Sequence, residues 1–358
     1  MVRLAMQIDV ELRNVTKKFG DFVAVDNVSF QVGKGEFFSL LGPSGCGKTT
    51  TLRMIAGFER PTEGEVYIGG ELMTDVASFK RPTNLVFQHL ALFPHLNVYD
   101  NISFGLKIKK LPKDEIQRKV KEMLNLVRLS GYEKRKIKQL SGGQQQRIAI
   151  VRALVNEPTV LLLDEPLGPL DLKLREEMVV ELKRIQREVG TTFIYVTHDQ
   201  GEALTMSDKI AVMKDGNVLQ LGTPMEIYER PKCGFTADFI GRSNLFDGSY
   251  EDGMVEVEGL GKICVSSDSS ISEKCSVIIC TKPEKISIGR KLKGLDNILE
   301  GEIKETYYQG QATTYRVLLE NESVITVVTL SSGMNELFRL GDKVKIGWNK
   351  ESTTVIKA

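Results

Sequence analysis

The sequence predicts an α/β domain built around a parallel sheet, followed by a smaller all-β domain. Three features of the chain support this expectation. A short apolar segment leads into a glycine-rich loop and then into an apolar-periodic helix over residues 37–57. A continuous apolar run at 159–163 ends in two acidic residues, as a central strand covered on both faces would. From about residue 241, short alternating segments separated by Gly, Asn and Asp replace the helices.

Bulk composition limits the class of protein. The length of 358 residues favours two domains, and 41% hydrophobic with 27% charged residues is typical of a globular chain. A net charge of +1 produces no field that would attract nucleic acid or an anionic membrane. No apolar run approaches the roughly 18–20 residues of a spanning helix, and Asp9 and Glu11 come too early for a signal peptide. We therefore expect a cytoplasmic chain that reaches a membrane only through a partner.

The cysteines indicate a reducing compartment. There are five, an odd number, and none forms a CxxC pair, so free thiols without structural zinc are expected. Cys46 stands beside a predicted helix N-terminus. It is either a small space-filling residue or an unusually reactive thiol.

Residues 8–32 are predicted to form a β-hairpin, because 8–12 and 28–32 alternate and 17–21 has turn composition. Phe19 lies beside Gly20 at the tip. Its ring either packs the turn onto the sheet or remains exposed as an aromatic surface.

The glycine-rich loop fits the P-loop pattern G-x-x-x-x-G-K-[ST] in the strand–loop–helix context that the pattern requires. Backbone amides in such a loop curl around an anion, and the helix N-terminus points at the same place. Lys48 would reach the β- and γ-phosphates of a nucleoside triphosphate, and the Thr49 hydroxyl would ligate Mg²⁺. The candidate nucleotide-binding residues here are Gly42, Ser44, Gly45, Cys46, Gly47, Lys48, Thr49 and Thr50.

A turn at 61–64, a short strand at 65–70 and a buried strand at 84–88 are expected next. Gln88 ends the last of these, either as an ordinary surface amide or as part of a site. The aromatic, proline-broken segment 89–96 is either core or a patch for a partner. An amphipathic helix follows, with Ile116 and Val120 on its apolar face.

Ser141 and Gln144 form a capping-box arrangement at the start of another helix. With two intervening glycines, this N-terminus is a second potential anion cradle. The candidate residues are Ser141, Gly142, Gly143 and Gln144.

The apolar run at 159–163 delivers Asp164 and Glu165 to the carboxyl end of a predicted central strand, which is the Walker-B arrangement. Asp164 would hold Mg²⁺ directly or through water. Glu165 could polarise an attacking water. Asp171 opens a long helix, and the β-branched strand 192–197 ends in His198, where the ligand crevice of such a sheet lies.

Residues 210–221 are expected to form a hairpin with a type I′ turn, followed by a short helix that starts at Thr223-Pro224. The remainder predicts one or two small β-barrels with strands at 254–258, 277–280, 286–288, 302–306, 314–319, 324–328 and 343–347. From residue 241 on there are 15 Lys and Arg against 17 Asp and Glu, so this part is not expected to bind nucleic acid.

Taken together and in this order, these motifs resemble the ATPases of ABC transporters over nearly the whole chain. The resemblance implies an α/β P-loop NTPase at 1–240, with a RecA-like sheet, antiparallel β and helical subdomains (the helical one at about 89–155). A C-terminal all-β, OB-like regulatory barrel would occupy 241–358. It implies that Phe19 stacks on adenine, that Gln88 lies near Mg²⁺ and the attacking water, and that Glu165 is the general base. His198 would touch the γ-phosphate.

In such proteins two ATP molecules lie between two subunits packed head to tail, so the resemblance implies a homodimer. Ser141 and Gly143 would complete the site of the opposite subunit, and Asp171 would belong to the loop that crosses between sites. The region 88–96 would dock a transmembrane permease subunit, placing the chain at the cytoplasmic face of the membrane. An extracytoplasmic solute-binding protein would take part indirectly.

The segments 42–50, 164–167 and 172–175 and the β-rich tail are similar to importer ATPases for sugars, polyamines, ferric iron, sulfate or molybdate. The segments 241–248, 282–286 and 344–348 are most similar to the ATPases of spermidine and putrescine importers. Two positions depart from the pattern: Pro169 stands where a small residue is usual, and His89 follows Gln88. DNA-acting relatives carry a long coiled-coil insertion and translation-associated ones fuse two heads, neither of which is present in this sequence.

Overall fold

A computed structural model describes residues 7–266, 274–331 and 336–357. The chain divides into two units, Met1–Pro224 and Met225–Ala358. Within the described ranges, no helix has both the length and the apolar character needed to cross a membrane.

A six-stranded sheet forms the centre of the first unit, in the order β10-β9-β3-β8-β7-β6. Only β10 is antiparallel to its neighbour. β7 lies between β8 and β6 and is buried along its whole length, as its continuous apolar sequence predicts. Because β3, β7 and β8 are parallel, the segments that follow them emerge at one edge of the sheet. The strands are β3 (Phe37–Leu41), β6 (Thr83–Val86), β7 (Val160–Asp164), β8 (Thr192–Thr197), β9 (Lys209–Lys214) and β10 (Asn217–Gly222).

A four-stranded antiparallel sheet contains the predicted hairpin; its strands are β1 (Ile8–Phe19), β2 (Phe22–Gly33), β4 (Glu63–Ile68) and β5 (Glu71–Leu72). The predicted turns were too wide. Phe19 pairs with Phe22, which leaves only Gly20 and Asp21 in the turn, and Glu63 pairs with Thr16 rather than lying in a loop. The strand predicted at 84–88 ends at Val86, and it is half-buried because it lies at the edge of its sheet.

Within residues 7–224, six α-helices accompany these sheets: α1 (Lys48–Ala56), α2 (Val98–Ile108), α3 (Lys113–Leu126), α4 (Gly142–Leu154), α5 (Leu172–Val189) and α6 (Gln200–Met206). α2, α3 and α4 form the helical part of the unit, and the predicted apolar face of α3 is buried at Ile116, Val120 and Leu124. Gly190 ends α5 with a φ of 67°, which favours glycine. Asp215 and Gly216 both have positive φ, as a type I′ turn requires.

The described part of the second unit forms two five-stranded antiparallel sheets, ordered β13-β12-β11-β14-β20 and β15-β19-β16-β17-β18. Their inner faces share one core in which Trp348 and Tyr315 are the largest buried side chains. β11, β13 and β20 were not predicted. The elements are α7 (Pro224–Glu229), α8 (Gly234–Phe239), β11 (Asn244–Glu251), β12 (Met254–Val257), β13 (Gly261–Cys264), β14 (Cys275–Thr281), β15 (Ser287–Gly289), β16 (Asn297–Tyr308), β17 (Ala312–Leu319), β18 (Val324–Leu330), β19 (Lys343–Trp348) and β20 (Thr353–Lys357).

The division at 224/225 lies earlier in the chain than the 240/241 expected from composition. α8 explains the difference, because Ala237 packs against Cys280 and Ile356 of the β-rich part. The buried Lys282 ammonium also donates a 2.7 Å hydrogen bond to the Ile240 carbonyl.

Candidate functional site

The glycine-rich loop joins β3 to α1, and two of its glycines are required by close approaches. A Cβ on Gly42 would lie 2.3 Å from the Met213 carbonyl oxygen, and one on Gly47 would lie 2.5 Å from that of Ala24. Gly47 also has a φ of 99° at the N-terminus of α1. No side chain caps this terminus and no acidic residue lies in its first turn, so its amides face a region suited to an anion.

Lys48 is buried, and its ammonium donates to the carbonyl oxygens of Gly42 and Pro43 at 2.8 Å each. The cation is therefore held against the loop, where it could bind a phosphate. Cys46 packs beside it, with Sγ 3.8 Å from the Lys48 Nζ, and is 3% exposed. Burial raises the pKa of the Cys46 thiol, which favours the space-filling interpretation over a reactive thiol.

Thr49, in the first turn of α1, meets Asp164 at the carboxyl end of β7. The Thr49 hydroxyl donates a 3.0 Å hydrogen bond to Oδ1 of Asp164. Burial raises the pKa of the Asp164 carboxyl, while the Thr49 hydrogen bond opposes that shift. A hydroxyl and a carboxylate side by side are oxygen ligands of the kind that Mg²⁺ prefers, so the residues present fit this ion.

Glu165 and His198 meet at the ends of β7 and β8. Nδ1 of His198 lies 3.3 Å from Oε1 of Glu165. The Glu165 backbone has a φ of 43°, and its amide donates to the Val196 carbonyl at 3.1 Å. This hydrogen bond to β8 fixes the position of the Glu165 backbone. From there the Glu165 carboxylate projects toward the exposed His198 side chain.

Gln88 lies near the same cluster. A Cβ built on Gly168 would be 3.8 Å from the Gln88 side-chain nitrogen, and the Gly168 amide donates to the Glu165 carbonyl at 3.2 Å. The amide side chain is therefore close to the loop that follows Glu165 and is not isolated on the surface.

The capping box at α4 has the predicted geometry. Ser141 Oγ accepts from the Gln144 amide at 3.4 Å, and Gln144 Oε1 accepts from the Ser141 amide at 3.0 Å. A Cβ on Gly143 would lie 2.8 Å from the Leu174 side chain, so the turn packs against α5. The contacts found within the described ranges do not join these residues to the glycine-rich loop of the same chain.

Among the described contacts, neither Asp171 nor Phe19 touches Thr49 or Asp164. The Asp171 carboxylate accepts from the Leu174 amide at 3.0 Å and so caps α5. The Phe19 ring is 47% exposed, and the Lys17 ammonium lies 4.8 Å from its centroid. Exposure at the hairpin tip contradicts the packed-turn alternative for this ring.

Two arginines to which the sequence assigned no role in the site hold the surrounding loops in place. Arg152 donates to the carbonyl oxygens of Ala91 at 2.7 Å and Leu90 at 3.0 Å, where both residues have positive φ. Arg175 donates to the Leu170 carbonyl at 3.0 Å. Neither position follows a spacing rule, because carbonyl partners leave no mark in the sequence.

These features, a phosphate-type loop with an adjacent oxygen pair and a carboxylate–histidine pair, define a nucleotide-hydrolysing cassette. The family profile described as "ABC transporter" matches residues 25–168, and the profile described as "TOBE domain" matches residues 279–356. The chain belongs to the ABC transporter family, as an ATP-hydrolysing subunit.

Two curated relatives are similar over most of their length. The spermidine/putrescine import ATP-binding protein PotA of Rubrobacter xylanophilus is 49% identical over 98% of this chain and 94% of its own. The PotA protein of Clostridium novyi is 54% identical over 84% of this chain and 86% of its own.

Solved ATP-binding cassettes match about three fifths of the chain. A dimeric ATP-binding cassette in a post-hydrolysis state, bound to ADP and Pi, is 37% identical with a TM-score of 0.53, over 60% of this chain and 98% of its own. A Clostridium perfringens subunit of the cbiONQ transporter is 31% identical with a TM-score of 0.58, over 62% of this chain and 90% of its own.

Proposed function

We propose that this chain powers the import of polyamines, spermidine or putrescine, through a membrane transporter. The observation that carries the hydrolytic part is the Thr49–Asp164 contact next to the Glu165–His198 pair, at the ends of three parallel strands. The polyamine assignment is supported by the names of relatives that are about half identical to this chain.

The P-loop residues would hold ATP by its phosphates, with Lys48 and the first amides of α1 facing the negative charge. Thr49, Asp164 and Gln88 would hold Mg²⁺, which offsets charge on the phosphates when it is bound. Glu165 would accept a proton from the attacking water, and His198 would orient that carboxylate and touch the γ-phosphate. Phe19 would stack on adenine.

A second copy of this chain would complete each site. The α4 N-terminus, with Ser141 exposed and Gly143 packed against α5, would donate to the γ-phosphate of ATP held by the opposite subunit. This proposal is supported by the separation of these residues from the glycine-rich loop in the contacts of one chain, and by the dimeric state of a solved cassette. Hydrolysis would release the contact and open the dimer.

The loop at 88–96 would dock a transmembrane permease subunit at the cytoplasmic face of the membrane, with the extracytoplasmic solute-binding protein acting only through that permease. A cleft there is lined by Phe87, Phe93, Phe104 and Arg152. Its aromatic walls suit an apolar helix, and Arg152 fixes the loop that borders it.

Uptake measurements test the solute. Cells of the source organism lacking this gene should take up labelled spermidine and putrescine at least about ten-fold more slowly, and the wild-type gene, but not Glu165→Gln, should restore uptake. Unchanged polyamine uptake together with lost uptake of a sugar, ferric iron, sulfate or molybdate would replace the polyamine assignment with that solute. Defects in DNA repair or translation with normal uptake would favour another class of ABC ATPase.

A further inference from the structure

Arg175, on the first turn of α5, lies between two loops of the first unit. On one side its Nη2 atom donates to the carbonyl oxygens of Leu170 at 3.0 Å and Gly168 at 3.5 Å. On the other side its Nη1 atom lies 3.7 Å from Oδ2 of Asp199, and its Nε atom lies 3.8 Å from Oε1 of Glu202. One guanidinium thus spans both loops.

Each loop leads directly to a residue of the candidate site. The Gly168 amide donates to the Glu165 carbonyl, so the first loop is attached to the residue that carries the carboxylate. Asp199 follows His198, and its amide donates to the Thr197 hydroxyl at 2.9 Å. The positions of Glu165 and His198 relative to each other therefore depend on the group that holds the two loops together.

The acidic side of this bridge is rigid. Glu202 is buried and accepts from the Tyr195 hydroxyl at 2.7 Å and the Thr197 hydroxyl at 2.6 Å. Asp199 caps α6 by accepting from the Glu202 amide at 2.9 Å. Because hydrogen bonds hold Asp199 and Glu202 in place, the Arg175 guanidinium contacts fixed carboxylates on this side. The element that Arg175 positions is therefore the loop at 167–171.

The Nε atom of Arg175 is a buried donor without a hydrogen-bond partner among the described residues. Buried donors are normally paired, and an exception calls for an explanation. A shift of about 1 Å would bring this atom into hydrogen-bond range of Glu202. The contact between Arg175 and Glu202 would therefore tighten if the loop at 167–171 moved toward α6.

We propose that Arg175 is a positioning residue for ATP hydrolysis: it ties the 167–171 loop to the His198 loop, so that the Glu165 carboxylate and the His198 imidazole are held together over the reacting phosphate. This inference rests on the hydrolytic roles proposed above for Glu165 and His198. Among the described residues Arg175 contacts the loops at 167–171 and 198–202 and not the glycine-rich loop, so we expect it to affect the chemical step more than nucleotide binding.

Steady-state ATPase kinetics of the full chain, with MgATP as the probe, test this role. Arg175→Gln is expected to lower kcat at least about ten-fold while KM for MgATP changes less than about two-fold. Arg175→Lys keeps the charge near Glu202 and preserves the unfolding midpoint, yet it stays at least about five-fold below wild type because a single ammonium cannot span both loops. Arg187→Gln, an exposed change on the same helix, is the matched control and should keep kcat within two-fold.

A double-mutant cycle adds a second measurement. Glu202→Gln should lower kcat several-fold, and Arg175→Gln/Glu202→Gln should be no slower than Arg175→Gln alone, because the two residues act through one contact. Three outcomes would overturn the proposal. The losses of kcat in the two single variants could add in the double variant, or Arg175→Gln could keep a kcat within two-fold of wild type. Both Arg175 variants could also lose ATP binding, unfolding midpoint and kcat to the same extent. A wild-type chain no faster than Glu165→Gln would instead refute the hydrolytic roles on which it rests.

Discussion

Nδ1 of His198 lies 3.3 Å from Oε1 of Glu165, and the two residues come from the ends of neighbouring parallel strands. Parallel pairing of β7 and β8 places the two strand ends side by side, although Glu165 and His198 are 33 positions apart in the chain. The pair joins a candidate proton acceptor to a residue that can orient it, which makes Glu165 the first position to test.

Glu165→Gln should lower ATP hydrolysis by about 100-fold or more, since the amide cannot accept a proton from water. ATP binding should persist, so the variant should accumulate as an ATP-bound dimer in size-exclusion chromatography with MgATP. Glu176→Gln, an exposed position on α5, is the control and should hydrolyse ATP normally. Monomers alone in the Glu165→Gln sample would argue against two sites closed between subunits.

Lys48→Ala should reduce ATP affinity by at least about 100-fold, because it removes the buried cation that we propose binds the phosphates. Equilibrium binding of a fluorescent ATP analogue measures this directly. Lys113→Ala, at the exposed start of α3, should bind like wild type. An unchanged affinity in Lys48→Ala would remove the P-loop assignment.

Arg81→Gln should lower the free energy of unfolding by about 2–4 kcal/mol, since it leaves buried carbonyls without their donor. The Arg81 guanidinium donates to the carbonyl oxygens of Val76, Met54, Ile55 and Thr74. Urea unfolding followed by circular dichroism gives the value. Arg60→Gln, which removes only an exposed ion pair with Asp75, should change stability by less than about 0.5 kcal/mol.

Glu202→Gln should become relatively more stable than wild type as pH rises from about 4.5 to 8. Burial raises the pKa of Glu202 despite its hydrogen bonds from Tyr195 and Thr197 and the nearby Arg175, while Asp199 adds to the rise. A raised pKa means that the folded chain binds more protons than the unfolded chain above pH 4.5. Wild type therefore loses stability as the Glu202 carboxyl ionises, whereas Glu202→Gln carries an amide that does not ionise and so shows no such loss.

Thermal unfolding midpoints of both proteins at pH 5 and pH 8 measure this difference. Glu177→Gln, an exposed change on α5, should show no such divergence from wild type. A difference between Glu202→Gln and wild type that stays constant with pH, or that reverses, would contradict the raised pKa.

Cys46 should resist alkylation in the folded chain at pH 7, with or without ATP, because its thiol is buried and its pKa is raised. Partly exposed Cys233, Cys264 and Cys275 should be labelled by iodoacetamide under the same conditions. Peptide mass spectrometry reports each cysteine separately. Labelling of Cys46 that ATP blocks would support the reactive-thiol alternative instead.

Much of the fold was predictable because its signals are local. The alternation in β1 and β2, the apolar run of β7 and the capping box at Ser141 each depend on neighbours within a few residues, and the structure has all of them. Strand ends were predicted less well: Glu63 belongs to β4 only because it pairs with Thr16 across the sheet. β20 is not among the predicted strands although its first four residues are β-branched, and its pairing with β14 defines it.

By itself the sequence determined the chemistry available here: which residues carry a cation, a hydroxyl, two carboxylates and an imidazole, and which of them stand at strand ends. Those properties follow from residue type and local spacing. Only the tertiary structure decided that Arg175 links the loops after Glu165 and His198, and that Arg152 holds the loop at Leu90 and Ala91. Both contacts end on backbone carbonyls or on distant carboxylates, whose positions depend on how the whole chain packs.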